Sequence, residues 1–208
     1  MPAPTEAIAR VAAAQQRFDG AIAALSDADV RRESLLPDWT VGHVLTHVAR
    51  NADSHTRRTE AAGRNEMVDQ YPGGWEGREA EIQSGAGRTA KDLVEDVRTS
   101  AEKMHAAWAA APEAAWANTT RDVGGRERPL SDLVWRRWQE LEVHLVDLGI
   151  GITHRDWPDD FVAEWLPRLQ VFFADRPATP AGLDERDELA WLYGRLQRDD
   201  LPVLPSWG

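Results

Sequence analysis

Residues 131–149 read SDLVWRRWQELEVHLVDLG, and the spacing of their apolar side chains decides the fold. Val134, Trp138, Leu141, Leu145 and Leu148 recur at alternating intervals of four and three residues, which on a helix of 3.6 residues per turn makes one continuous seam. Ser131 after Pro129 is a cap residue and Gly149 a natural C-terminal stop, so the stretch is bounded as one helix. Residues 40–62, TVGHVLTHVARNADSHTRRTEAA, carry a second stripe of Val41, Val44, Leu45, Val48 and Ala52, with Thr40 as its N-cap. Two amphipathic helices of this length must bury their stripes against other helices.

The rest of the chain supplies those partners. Helical spacing predicts a first helix over Thr5–Leu25, with Ile8, Val11, Ala12 and Phe18 inward and Ser26-Asp27 closing it, and a third main helix over Ala90–Ala110. Shorter helices are expected over Asp159–Ala174 and Glu185–Gln197, then an extended tail over Val203–Gly208. Asp69–Gly87, with Tyr71-Pro72-Gly73-Gly74, reads as a long loop with at most a short helix near Arg78–Ile82. A loop of that length in a compact domain points to function. Asp122–Arg128 reads as an irregular link, and no β-strand pair is convincing. The expected class is all-α, an up-and-down four-helix bundle over 1–150 with a short helical C-terminal extension over 151–208 packing on it.

Composition narrows the function. Hydrophobic residues make up 42% of the 208, enough for a core, and no apolar run is long enough to cross a bilayer. The N-terminus lacks a basic-then-apolar leader pattern, so the expected location is the cytoplasm. A net charge of −11 disfavours nucleic acid and anionic membrane surfaces, whose binding rests on clustered Lys and Arg. Small-molecule ligands remain, in a protein expected to be a monomer or homodimer. With no cysteine, the chain has neither a disulfide nor a thiol nucleophile of its own. Ten Trp outnumber four Phe and two Tyr. Most are expected in the core, with one or two free to stack on a sugar or an apolar substrate.

Three residues stand apart. Glu140 and His144 are one turn apart beside the 131–149 seam, on the bearing of Leu133, and His47 lies at the edge of the other helix's stripe. Two imidazoles and a carboxylate from two packed helices can converge on one cation and leave a coordination position free, the ligand set of a catalytic zinc site. The same set suits Fe²⁺ or Ni²⁺. The competing reading is a surface pair of Glu140 with Arg136, with His144 capping a polar patch. Asn51 and His55 continue the His47 face and are candidates to line a substrate cleft. His43 is expected at the surface or behind the ligands, and His105 and His154 show no partner pattern.

The stretch 35–52, LLPDWTVGHVLTHVARNA, together with 137–149, RWQELEVHLVDLG, strongly resembles the two signatures of the mycothiol-dependent maleylpyruvate isomerase family, within the wider DinB-like helical-bundle metalloproteins. The Tyr71-Pro72-Gly73-Gly74 segment and Arg78-Glu79-Ala80-Glu81-Ile82 look like that family's central loop, and the resemblance covers roughly 5–150. It implies a Zn²⁺ held by His47, Glu140 and His144, with mycothiol as the thiol cosubstrate. Beyond 150 the pattern departs, because strands carried there by longer members have no counterpart. Ala190-Trp191-Leu192-Tyr193-Gly194-Arg195 still resembles the family's final-helix motif, including an arginine implicated in catalysis.

The implied chemistry is a metal-bound thiolate adding to an electrophile, with maleylpyruvate isomerised to fumarylpyruvate. Arg78 and Arg195 are the candidates to hold carboxylates and stabilise enolate charge, since a guanidinium matches a carboxylate as a bidentate fork. The alternatives are a mycothiol S-transferase that conjugates electrophiles, a hydrolase using metal-bound water, and a non-catalytic bundle whose metal is fully ligated by protein.

Overall fold

The computed structural model describes residues 2–175 and 179–204, so the last four residues of the expected tail lie outside it. The described residues form eight α-helices and one hairpin: α1 (Thr5–Ile22), α2 (Asp27–Val30), α3 (Val41–Gly63), α4 (Gly74–Gly85), α5 (Ala90–Ala110), β1 (Thr119–Arg121), β2 (Glu127–Pro129), α6 (Leu130–Asp147), α7 (Asp159–Phe172) and α8 (Glu185–Leu192). They divide into two compact units, 1–148 and 149–208. No helix among them is long and apolar enough to cross a membrane.

The four long helices α1, α3, α5 and α6 make the expected bundle, but not in up-and-down order. The ring of neighbours runs α1–α6–α3–α5, so consecutive helices α1 and α3 stand across from each other, as do α5 and α6. The connections explain this. Residues 23–40 and 111–129 are both long enough to span a diagonal, whereas a turn of a few residues would force consecutive helices side by side. Crossing the ring twice brings α3 against α6, the two helices that carry His47 and the Glu140–His144 pair.

Val44, Leu45, Val48 and Ala52 of α3 and Val134, Trp138, Leu141 and Leu145 of α6 are buried as their spacing requires, with Val11 and Phe18 of α1 and Leu93, Val97 and Met104 of α5 opposite. Polar links fix the register. Arg17 makes a double hydrogen bond to buried Glu142, tying α1 to α6. Arg50 of α3 reaches Asp96 of α5, which also binds Arg88.

Four expectations need correction. The 69–87 stretch is not mainly loop, because α4 occupies Gly74–Gly85. Its glycines, which read as loop signals, serve the helix: Gly73 sits at φ +79° as its N-cap, and a Cβ on Gly77 would lie 1.8 Å from the Pro72 carbonyl oxygen. The 122–128 link is not irregular throughout: 122–126 make the turn of an antiparallel hairpin that pairs Thr119 with Pro129, 127 and 128 belong to β2, and three-residue strands leave no readable alternation. Ser26 does not simply close α1; it caps α2 in a capping box with Asp29. The last helix stops at Leu192, with Gly194 at φ +72° just beyond it. The other ends shift by a few residues, as fraying ends do; α6, for instance, starts at Leu130 with Pro129 in the cap position.

In the second unit, α7 packs on α8 around Trp157, Phe161 and Tyr193. His154 is not incidental there: its Nε2 lies 2.9 Å from Asp187, the residue whose amide is capped by Asp184.

α3 meets the end of α4 at Gly42, where a Cβ would lie 2.3 Å from the Ala86 carbonyl oxygen. Replacing a helical glycine by alanine ordinarily stabilises by roughly 0.5–1 kcal/mol. Here forced displacement of backbone outweighs that gain, and Gly42→Ala is expected to destabilise by about 1–3 kcal/mol. A lower urea midpoint with unchanged m-value checks this; a raised midpoint contradicts it.

Candidate metal centre

His47 lies a turn and a half into α3, and Glu140 and His144 occupy the middle and last turns of α6. Because those helices are ring neighbours, the three side chains meet. The His47 Nε2 and His144 Nε2 atoms lie 3.1 and 3.2 Å from one carboxylate oxygen, Glu140 Oε2. The two rings stand edge to face, with centroids 4.7 Å apart. All three donor atoms fall within 4.8 Å of one another. A tetrahedral cation with bonds of ~2.0–2.1 Å holds its ligand atoms about 3.3 Å apart, so small side-chain adjustments suffice to seat one.

Two of the three groups are already in the form that binds a cation. Burial pushes the His47 imidazole down to about 4, against the pull of Glu140, so it is neutral, the form that binds metals. Burial alone would raise Glu140, but hydrogen bonds from His144 and His47 outweigh it and hold the carboxyl well below its usual range. For His144 burial works to lower the pKa, and the bonds to Asp147 and Glu140 prevail and raise it. The His144 Nδ1–H donates to Asp147 Oδ2 at 2.9 Å, which aims Nε2 at the cluster. A carboxylate behind a ligating histidine is the usual support of a metal site. His47 and His144 are almost fully buried, whereas 22% of the Glu140 side chain is exposed, so the cluster opens to solvent on the Glu140 side.

Arg78, on α4, reaches this cluster. Its Nη2 is 3.4 Å from His47 Nδ1, and its guanidinium lies 5.7 Å from the ring centroids of both Trp39 and Trp75. Trp39 in turn sets its edge against His47 at 5.7 Å.

His43 lies at the start of α3. Its Nδ1 accepts the Thr40 backbone N–H at 3.1 Å, closing the start of α3, and its Nε2 lies 3.1 Å from Gln83 of α4. Asn51 and His55 are buried, one and two turns further along α3. Asn51 accepts from Arg137 at 2.9 Å, and His55 packs its edge on Trp108 with its Nδ1 unpartnered. Arg195 belongs to the second unit, where its Nη1 donates to the Tyr193 carbonyl.

Sequence reading missed three contributors. Arg137 is fully buried and holds Val48 O, Asn51 Oδ1 and Gln15 Oε1, joining α6 to α3 and α1. Its signal was an arginine between the seam residues Val134 and Trp138. Asp147, three residues after His144, was legible as a helical neighbour of a ligand. Trp39, before the Thr40 cap, had no spacing signal.

Comparisons with known proteins agree with this picture. The family model described as mycothiol maleylpyruvate isomerase N-terminal domain matches residues 11–149. A crystal structure of the mycothiol-dependent maleylpyruvate isomerase is similar with a TM-score of 0.86 at 24% identity, covering 98% of this chain and 96% of that one. A histidine-to-alanine mutant of a mycothiol-dependent maleylpyruvate isomerase gives the same TM-score and coverage at 23% identity. The likeness of fold therefore continues past residue 150, where the sequence pattern was expected to part from the family. No curated protein sequence matches the chain.

His144→Ala is expected to lose most bound zinc while keeping its helical content. Asp147→Asn should retain the site but weaken zinc binding about 10- to 100-fold. Chelator competition with circular dichroism on the same samples measures both, and undiminished zinc in the His144 variant would remove that residue from the site.

Proposed function

The chain belongs to the mycothiol maleylpyruvate isomerase family, and we propose that it is a zinc- and mycothiol-dependent isomerase converting maleylpyruvate to fumarylpyruvate. The observation that carries this reading is the three-donor cluster of His47, Glu140 and His144, open on its Glu140 side. In a chain without cysteine, a sulfur nucleophile must come from a cosubstrate. Zinc in this cluster would lower the pKa of a thiol in its remaining position, from about 8.5, so that the sulfur is thiolate at neutral pH. Addition of that sulfur to the activated double bond of maleylpyruvate leaves a single bond; rotation and elimination then give the trans product and return the thiol.

The protein's own residues bind, orient and neutralise. His47, Glu140 and His144 hold the metal, with Asp147 fixing the His144 ring. Arg78, flanked by Trp39 and Trp75, is placed to pair with a carboxylate of the substrate. Arg195 is assigned the enolate charge on the strength of the family motif alone.

Charge favours a dianionic substrate over a neutral electrophile. Burial pushes both Arg58 and Arg137 down to about 10, so each remains cationic at neutral pH, and both feel Glu140. Arg58 donates to the Ser54 carbonyl and hydroxyl. With Arg78, three guanidinium groups lie on the side of Glu140, and a buried charge is costly unless paired. The carboxylates of a substrate would pair with them. Location in the cytoplasm is part of this reading, as is a small-molecule thiol and electrophile as partners.

Zinc-loaded protein is expected to form fumarylpyruvate from maleylpyruvate only when mycothiol is present, followed by NMR. Accumulation of a stable conjugate with other electrophiles and no trans product would make it an S-transferase. Arg195→Ala should keep its zinc and lose about 100-fold or more in turnover of the dicarboxylate. Unchanged kinetics would reduce Arg195 to scaffold.

A further inference from the structure

Beside the metal cluster, α4 borders an open groove of about 600 Å³ lined by Trp75, Glu76, Arg78, Glu79, Ala80 and Gln83. Trp75 leaves 55% of its surface exposed, whereas six of the nine described tryptophans are buried. The groove and the cluster share Arg78, whose guanidinium stands between Trp75 and Trp39 and reaches His47. The polar lining is already ordered: Gln83 donates to Glu79 at 2.8 Å and lies 3.1 Å from His43.

Two carboxylates along this groove repel a dicarboxylic acid, so the electrophile does not belong there. An exposed indole face beside carboxylates and an amide suits a neutral polyol. The C–H face of a sugar ring packs on the indole, while its hydroxyls donate to carboxylate oxygens and pair with the amide. Mycothiol has such a part. Its acetylated cysteine is joined by an amide to a glucosamine linked to inositol, so only the sulfur end can enter the cluster and a neutral pseudo-disaccharide must lie outside it.

We propose that the α4 groove is the subsite for the glucosaminyl-inositol portion of the thiol, with Trp75 as the stacking platform and Glu79 and Gln83 as hydroxyl partners. This rests on the mycothiol reading above and goes beyond it by placing the cosubstrate's sugar and separating it from the dicarboxylate. The thiol is selected by its sugar at α4, and the electrophile by the cations around Glu140.

The test uses N-acetylglucosaminyl-inositol, which has no sulfur, in saturation-transfer NMR with the full-length protein. It should bind both metal-free and zinc-loaded protein and lose its signal in Trp75→Ala, with partial recovery in Trp75→Phe. In zinc-loaded protein, Trp75→Ala should lower the preference for mycothiol over N-acetylcysteine, read as a ratio of KM values, by about tenfold. Trp75 is exposed, so the variant is expected to fold, and its zinc content verifies this. If the probe binds through Trp75 but no turnover occurs, the sugar site stands and the isomerase reading fails. If turnover is normal and neither the probe nor the KM ratio responds to Trp75, the sugar site is overturned and the isomerase reading stands.

Discussion

Glu140 is a carboxylate that burial alone would neutralise, and the first unit is arranged around keeping it charged. Two imidazole nitrogens lie within 3.2 Å of one of its oxygens, one from its own helix and one from α3. That geometry exists only because α3 and α6 are ring neighbours, which in turn requires two connections long enough to cross the bundle. Arg137, fully buried, locks the same pair of helices one turn away by binding Val48 O and Asn51. Removing such a buried, hydrogen-bonded charge leaves several acceptors without donors, so the register of α6 against α3 is held by polar contacts as well as by the apolar seam.

The arrangement divides labour by charge. Arg78, Arg58 and Arg137 gather on the side of Glu140, whereas the outer face of α4 carries Glu76 and Glu79. In the proposed reading, anions are drawn inward and neutral groups are left to the rim. Arg78 stands at the boundary between the two, between two indoles and 3.4 Å from His47.

Much of this was legible in the sequence because helices write their packing at fixed intervals. The 3–4 spacing of Val134, Trp138, Leu141, Leu145 and Leu148 marked the seam, and the same periodicity put Glu140 and His144 on one bearing. The three donors are legible from helical spacing, and the structure brings them together. What failed has physical reasons. Helix α4 was hidden by glycines that serve close backbone approach at Gly77 and a positive φ at Gly73, needs that do not differ in sequence from those of a loop. The ring order depends on where long connections travel, which no local pattern encodes. Arg137 acts through tertiary contacts that become visible only once α6 is docked, whereas Asp147 meets His144 within the same helix.

The central claim, that the cluster seats a metal with one position free for an external thiol, is tested most directly by X-ray absorption at the zinc edge, with and without mycothiol. Two imidazole nitrogens and one carboxylate oxygen at ~2.0–2.1 Å are expected, joined by one sulfur at ~2.3 Å when the thiol is added. A shell already filled by four protein ligands, and unchanged by the thiol, would contradict it.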